Sequence, residues 1–498
     1  MNRKTKLLLN SGMGIIKQLV ILACGFILPR YILLCYGSEV NGLISSITHF
    51  LGFISLLEMG IGPVIQANLY KPLADKDTAG ISKIVISSER FFRRIGYIFI
   101  GYIVFLSVLF PITINSDFEP VFTISLLLII SISSFAQYFL GATYQLLLNA
   151  DQKSYVQMSL HVVTTILNTV ASVVLMMCGC SVHVVKLVTA IFFVLRPLGQ
   201  MVYVRKRYSI DRKIKFEGEP IKQKWNGFAQ HIASVVCNNI DVFVLTVFST
   251  LQNISIYSVY FLVVSGINSM IMTAATGLES YFGNMIAKNE EKELNQSFSL
   301  IEFIVHFFVS VVFTIAIITI IPFIKVYTNG ITDADYIQPV FSAILVLAFA
   351  VQCLRIPYFR IIKAAGHFKE TQNGAYISTV INIVLTLVLV FIIGLPGVAI
   401  GTFAAFAYHT VYFAVYLRKN ILKRSFVYFI KYIFTDSVIL VLACLATQWF
   451  EMTDITYFAW VVLALKVSFV TLTIAVIVNL IFNGKYIKKL IKKFRKKA

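Results

Sequence analysis

The sequence predicts an all-α polytopic membrane protein of about fourteen transmembrane helices, arranged as two parallel six-helix lobes with an extra C-terminal helix pair. Three observations carry that expectation. Of 498 residues, 58% are hydrophobic and 13% charged, whereas soluble proteins are ~45–50% apolar and ~25% charged. Apolar stretches long enough to cross a ~30 Å hydrocarbon core at ~1.5 Å per residue recur along the whole chain. An internal repeat at a spacing of about 214 residues relates the first half to the second.

The first six apolar segments cover residues 11–34, 41–68, 95–115, 121–148, 155–177 and 183–204. Segments seven to twelve cover 225–249, 255–285, 300–324, 338–362, 374–393 and 396–417, and the last two cover 432–450 and 457–482. Basic Arg3, Lys4 and Lys6 precede the first segment, but that stretch is long and lacks a small-x-small cleavage pattern, so it is expected to be a helix and not a removable signal.

Charge distribution orients these segments. The net charge is +20, which in a soluble chain would suggest nucleic acid. Here most Lys and Arg fall at the termini and in the even-numbered connections, while the odd-numbered connections hold a single one, Lys325, and carry acids such as Glu39, Asp333, Asp335, Glu451 and Asp454. By the positive-inside rule both termini are expected on the cytoplasmic side of the membrane, and the surplus charge is expected to meet anionic lipid, with no nucleic acid partner.

The repeat is read from three matches in order. Tyr144 to Ala150 aligns with Tyr358 to Ala364, and Thr164 to Asn168 with Ser378 to Asn382, both at 214; Val202 to Lys206 aligns with Val415 to Lys419 at 213. Each unit holds six spans, an even number, so the two should be parallel repeats about an axis along the membrane normal. The expected organisation is an N-lobe over 1–204, a basic cytoplasmic linker over 205–224, a C-lobe over 225–420, and the extra pair with a basic tail over 421–498.

Soluble-type catalysis has no candidate. Metal-ligand clusters, nucleophile elbows and phosphate-binding glycine loops are absent from the sequence, so neither an enzyme nor a bound cofactor is expected. The seven cysteines mostly lie within apolar segments and read as packing or lipid-facing residues.

Several motifs carry a family resemblance. Asn238-Asn239-Ile240-Asp241, followed by Ile254 to Ser258, resembles the helix 7 to helix 8 signature of polysaccharide-unit flippases in the multidrug/oligosaccharidyl-lipid/polysaccharide exporter superfamily. Tyr36 to Ser45 and Leu56 to Gly62 resemble the corresponding N-lobe segments, and the extra pair resembles that of fourteen-span members. The resemblance covers essentially the whole chain. It implies transport of an undecaprenyl-diphosphate-linked oligosaccharide from the cytoplasmic to the outer leaflet by alternating access, for cell-surface polysaccharide synthesis. It further implies membrane lipids as partners, with a glycan polymerase and glycosyltransferases as candidates.

Intramembrane polar residues mark the candidate site, since a charge at mid-bilayer costs ~2.5–3.5 kcal/mol on insertion scales. His231, Ser234, Asn238 and Asp241 share one face of helix 7 at steps of three, four and three. The same offset of 214 relates His231 to Lys17 on helix 1, so each lobe has a basic-capable group at equivalent depth. Lys17 and Arg355 are the expected diphosphate ligands, because a diphosphate held between lobes needs donors from both. Arg355 belongs to the stripe Gln352, Arg355, Phe359 and Lys363 on helix 10. Arg30 and Arg196 are weaker candidates, since both can snorkel to headgroups. Asp241 and Glu58 are the candidates for proton or sodium coupling, or for pairing. The Thr164, Thr165 and Asn168 stripe reads as packing glue, and Asp436 and Lys466 as headgroup-seeking.

Two other function classes stay open: a cation-coupled multidrug antiporter, which fits two lobes equally well, and a membrane glycan polymerase. The polymerase fits less well, because the longest outer connection, residues 325–337, is too short for a catalytic loop. Single cysteines placed at Asp333 and Asp454 should react with impermeant reagents from outside, and cysteines at Arg212 and Lys292 only after permeabilisation. An inside location for Asp454 would remove the extra pair from this scheme.

Overall fold

The computed structural model describes residues 3–58, 60–114, 118–214, 228–422 and 424–495. These residues are overwhelmingly helical, with no strand among them, as a membrane-embedded backbone requires, because each N–H and C=O must find its partner within its own segment. In order, the helices are α1 (Arg3–Gly52), α2 (Ile61–Asp75), α3 (Thr78–Thr113), α4 (Pro120–Ala136), α5 (Ala142–Ala150), α6 (Ser154–Met177), α7 (Val182–Arg207), α8 (Phe228–Phe248) and α9 (Leu251–Ala274). They continue as α10 (Leu278–Ala287), α11 (Glu291–Tyr327), α12 (Pro339–Leu354), α13 (Ile356–Ala364), α14 (Phe368–Ile393), α15 (Leu395–Asn420), α16 (Val427–Thr447) and α17 (Tyr457–Arg495). Prolines at the first turns of α4, α12 and α15 begin helices where a missing N–H costs nothing. The Asp77 carboxylate caps α3 by accepting from the Gly80 N–H at 2.9 Å.

The described residues of the fourteen apolar segments lie mostly in these helices. Among the described residues, twelve stretches are long and apolar enough to cross a membrane. The difference from fourteen has two sources: α1 continues through segments one and two, and α8 offers only the shorter apolar stretch Asn239–Phe248. The continuity of α1 is nominal. Gly37 sits at φ 82°, ψ 177°, a conformation that would cost any other residue about 1–3 kcal/mol. Lys17 before it and Glu58 beyond it line one cavity, so the chain turns back at Gly37 and makes two passes.

Four of the apolar segments are broken, in corresponding segments of the two repeats, and one pair of breaks falls at the repeat spacing itself. Segment two is interrupted by a 3₁₀ turn at Phe53–Glu58 and by Gly60 before α2, and segment eight by residues 275–277 between α9 and α10. Segment four is interrupted by a π turn at Gln137–Gly141, and segment ten at Arg355, 214 residues beyond Gly141.

The chain forms two compact units, Met1–Ser258 and Val259–Ala498. In the first, α6 lies along the early part of α1, and the part of α1 beyond Gly37 is fastened by polar bonds to α8 and the start of α9. These include Asn41 to Ser255 at 2.8 Å and Ser46 with Thr246 at 2.6 Å, the kind of short polar contact that holds helices together where apolar packing gives no preference.

In the second unit α14 and α15 form an antiparallel pair, α15 packs on α12, and α16 and α17 pack on α11. Phe282, Phe298, Tyr358, Ile361 and Phe413 form its buried core at one end. The extra pair is tied to α11 by Ile439, Ala475 and Val478, by the Trp460 indole donating to the Thr319 carbonyl at 3.2 Å, and by His306 and Asp436 at 2.6 Å. Asp436 therefore does not seek headgroups, as its sequence position suggested. It is satisfied by an imidazole one helix away.

The N-terminal end of α1 is anchored by Asp151 in the α5–α6 connection, which takes Lys6 at 3.0 Å, Lys153 at 2.7 Å and the Tyr208 hydroxyl at 2.5 Å. Burial opposes the Asp151 charge, but hydrogen bonds from Lys153, Tyr208 and Lys6 outweigh it and hold the carboxyl below its ordinary value. A lowered folded-state pKa stabilises fully above the unfolded value near ~3.9 and is lost as pH falls through the folded value. Thermal unfolding in detergent should therefore show that Asp151→Asn costs roughly 1–2 kcal/mol at pH 7, and that the difference from the parent protein shrinks below about pH 4.

Candidate functional site

Two adjoining cavities in the first unit share Ser133, Ser134, Tyr138 and Phe193. One, of about 480 Å³, is lined by Lys17 of α1, Glu58 and Gly62 at the break before α2, Gln137 and Tyr138 of the π turn, Gln145 of α5, Gln157 and His161 of α6, and Arg196 and Gln200 of α7. The other, of about 540 Å³, is lined by Thr48 and Ser55, Lys186 and Thr189 of α7, and Asn239 of α8. Both breaks of this unit, the 3₁₀ turn and the π turn, contribute lining residues. That is how discontinuous helices make polar sites within a membrane.

The π turn places its side chains by close approach to α7. A Cβ on Gly141 would come within 2.7 Å of the Pro197 Cβ, so glycine here lets α4 and α5 bend directly against the turn that carries Arg196. The Tyr138 hydroxyl donates to Glu58 at 2.9 Å, and the Gln137 amide donates to Gln145 at 2.9 Å.

Arg196 does not snorkel. Its Nε donates to the Thr164 hydroxyl at 2.6 Å and its Nη2 to the Thr165 hydroxyl at 2.8 Å, with the guanidinium 3.9 Å from the Phe193 ring centroid. Thr164 and Thr165, read from sequence as packing glue, thus orient a cation at the cavity. Lys17 lines the same cavity. Lys186, which sequence reasoning passed over, lines the second one ten residues before Arg196 on the same helix, ~15 Å along its axis.

Among the described lining residues of the two cavities, the cations are Lys17, Lys186 and Arg196, and the one carboxylate is Glu58, which accepts from Tyr138. None of the three cations has an ion-pair partner among the described residues. The buried Gln200 amide oxygen likewise has no hydrogen-bond partner among them. Cations held apart from carboxylates in a low-dielectric enclosure create a strong field for an anion, and the surrounding amides and hydroxyls suit a ligand rich in hydroxyl groups.

The remaining candidates lie elsewhere. His231 hydrogen-bonds the Ser55 carbonyl at 2.8 Å, tying α8 to the 3₁₀ turn without lining either cavity. Asp241 is buried and accepts from the Tyr257 hydroxyl at 2.9 Å. The side chain of Asn238 lies outside the described residues. Its neighbour Asn239 lines the second cavity and bonds the His49 ring at 3.0 Å. Arg30 is half-buried in α1 and lines neither cavity. Arg355 is in the second unit, at the α12–α13 break, where it donates to His409 Nδ1 at 2.8 Å and lies 5.6 Å from the Phe406 ring centroid. Lys363, two steps along its stripe, reaches Glu279 at 3.5 Å.

The chain shares its all-helical fold with several solved membrane transporters. Among solved structures the chain is similar to the lipid II flippase MurJ in an inward closed conformation, with a TM-score of 0.72 and 18% identity over 96% of this chain and 100% of that one. It is also similar to an inward-facing multidrug resistance MATE family transporter, with a TM-score of 0.61 and 13% identity over 82% and 95% of the two chains. A third is a superfamily member from Pyrococcus furiosus described as having a binding pocket of reversed polarity, with a TM-score of 0.54 and 15% identity over 85% and 100%. No protein-family model and no curated protein sequence matches the chain.

A cation without a carboxylate is unfavourable to hold in such a cavity unless a ligand arrives. Lys186→Met should therefore leave the ligand-free protein at least as stable in thermal unfolding, with a gain on the order of 1 kcal/mol. A loss of stability would make Lys186 a structural residue.

Proposed function

We propose that the protein is a flippase that moves an undecaprenyl-diphosphate-linked oligosaccharide repeat unit from the cytoplasmic to the outer leaflet by alternating access, for cell-surface polysaccharide synthesis. The observation that carries this reading is a pair of adjoining cavities lined by three cations, Lys17 and Arg196 in one and Lys186 in the other, with Glu58, engaged by Tyr138, as the one carboxylate among their described lining residues. Lys17 and Arg196 would hold the diphosphate by charge-assisted hydrogen bonds, while Gln145, Gln157 and Gln200 would meet sugar hydroxyls. The sequence resemblance to polysaccharide-unit flippases supports the substrate class, as does likeness of fold to a protein named as a lipid II flippase. The setting would be a bacterial inner membrane with both termini inside, and the lobes 1–204 and 225–420 would alternate about the linker 205–224, with 421–498 added outside them.

A cation-coupled multidrug antiporter is the alternative, since likeness to MATE transporters supports that fold equally. A cationic drug, however, would be repelled by Lys17 and Arg196 in one cavity and Lys186 in the other, with Glu58 the single carboxylate among the described lining residues. Arg355 and Asp241 keep their proposed parts, Arg355 of the second unit as a later diphosphate ligand and Asp241, with Glu58, in the first unit as a site for proton or sodium coupling.

Outward movement of about two negative charges from a negative interior gains ~2.3 kcal/mol per charge per 100 mV, so membrane potential should drive export. In vesicles carrying an imposed potassium diffusion potential, flipping of the lipid-linked oligosaccharide should accelerate with inside-negative potential. Lys17→Ala and Arg196→Ala should each slow it about ten- to a hundredfold with membrane insertion retained. Normal flipping by both variants would defeat the diphosphate reading, and transport of organic cations by the parent protein would favour the antiporter.

A further inference from the structure

Outside the cavity, one side-chain cluster occurs twice. In the first unit the Tyr144 hydroxyl donates to Glu89 Oε1 at 2.7 Å, and Arg212 donates through Nη2 to Glu89 Oε1 at 3.1 Å and to the Tyr144 oxygen at 2.9 Å. In the second unit the Tyr358 hydroxyl donates to Glu302 Oε1 at 2.5 Å, and Arg424 Nη2 reaches both carboxylate oxygens of Glu302 at 2.6 and 2.5 Å. Tyrosine and glutamate are 55 residues apart in one cluster and 56 in the other, and arginine and glutamate are 123 and 122 apart. The sequence repeat thus reproduces a three-membered contact as well as short motifs.

The members come from corresponding elements. Each glutamate is on a long helix, α3 or α11, and each tyrosine is on the short helix beyond a break, α5 or α13. Each arginine is in the connection that follows α7 or α15. In the first unit that connection is held a second time, by the Asp211 N–H donating to the Ser82 hydroxyl at 2.9 Å. Tyr144 is buried on one side of α5, while Ala142, Gln145 and Leu146 on its other side line the cavity. The two clusters differ in exposure: the Arg424 and Glu302 side chains are 16% and 0% exposed, those of Arg212 and Glu89 48% and 17%. The second cluster is sealed, and the first is open to exchange.

We propose that Glu89, Tyr144 and Arg212 form a clasp by which the connection after α7 positions the half-helix α5, and through it the cavity wall at Gln145. Glu302, Tyr358 and Arg424 do the same for α13, and so for the turn that carries Arg355. The π turn is the place where α5 can bend relative to α4, and the clasp would hold α5 from the far side. Arg212 is a positioning residue: it does not line the cavity, yet it sets where one wall of the cavity stands. The inference rests on the transport reading only for its consequence in flipping, and the geometry can be tested without any substrate.

The test measures maleimide labelling at Gln145→Cys in full-length protein whose seven native cysteines are replaced. Gln157→Cys, on the α6 wall of the same cavity, serves as the reference. Arg212→Gln and Tyr144→Phe should each change the labelling rate at position 145 by about tenfold, as loss of a charge-assisted bond implies, and leave position 157 within about twofold. Arg212→Lys should change it less, and the exchange Glu89→Arg with Arg212→Glu should restore it towards the parent rate. An unchanged rate at 145 would overturn the proposal and leave the cluster a staple of the fold. Equal changes at 145 and 157 would also overturn it, since the whole cavity would then have loosened. If labelling behaves as proposed while the protein does not flip lipid-linked oligosaccharide, the clasp stands and the transport reading falls.

Discussion

The arrangement depends on one electrostatic constraint: Lys17, Arg196 and Lys186 line membrane-level cavities whose one lining carboxylate, Glu58, accepts from Tyr138. Stability alone would favour pairing or removing such charges, because an uncompensated cation is poorly solvated away from water. The surrounding structure tolerates them through specific devices. Arg196 is divided between two threonine hydroxyls and an aromatic face. This cation is thus held by neutral partners, which leaves its charge available to a ligand.

The same constraint gives the helix breaks their meaning. An unbroken helix in lipid uses all its backbone polarity internally. At the 3₁₀ and π turns the first unit departs from that regularity, and those are the places where Glu58, Gln137 and Tyr138 enter the cavity. Gly37, by turning the chain back, brings Lys17 and Glu58 to one level, although 41 residues separate them in sequence. Irregular backbone, polar lining and charge therefore coincide, as they do where function has been placed at the expense of local regularity.

Much of the fold was legible in the sequence because hydrophobic length is a strong one-dimensional signal. The described residues of the fourteen apolar segments lie mostly in helices, and the repeat register at Tyr144 and Tyr358 recurs in the Glu–Tyr–Arg contacts. The site was less legible. Helical periodicity placed His231 and Asp241 on a face, but could not say that their partners would be the Ser55 carbonyl and the Tyr257 hydroxyl. Arg196 was discounted because a route to headgroups existed, whereas Thr164 and Thr165, 32 and 31 residues away, offered nearer donors' partners. Lys186 carried a usable signal, a lone lysine inside an apolar segment on the same helix as Arg196. Asp436 could have been paired with His306 only by knowing that α16 packs on α11.

The central claim is that the cavity is built for an anion of the diphosphate class. Binding to the purified protein tests it most directly, because ligand binding to the folded state raises apparent stability in proportion to occupancy. Undecaprenyl diphosphate should raise the unfolding temperature in detergent in a concentration-dependent way, less so in Lys17→Ala and Arg196→Ala, while a lipophilic organic cation of similar size should not. Stabilisation by the cation, with none from undecaprenyl diphosphate, would contradict the account.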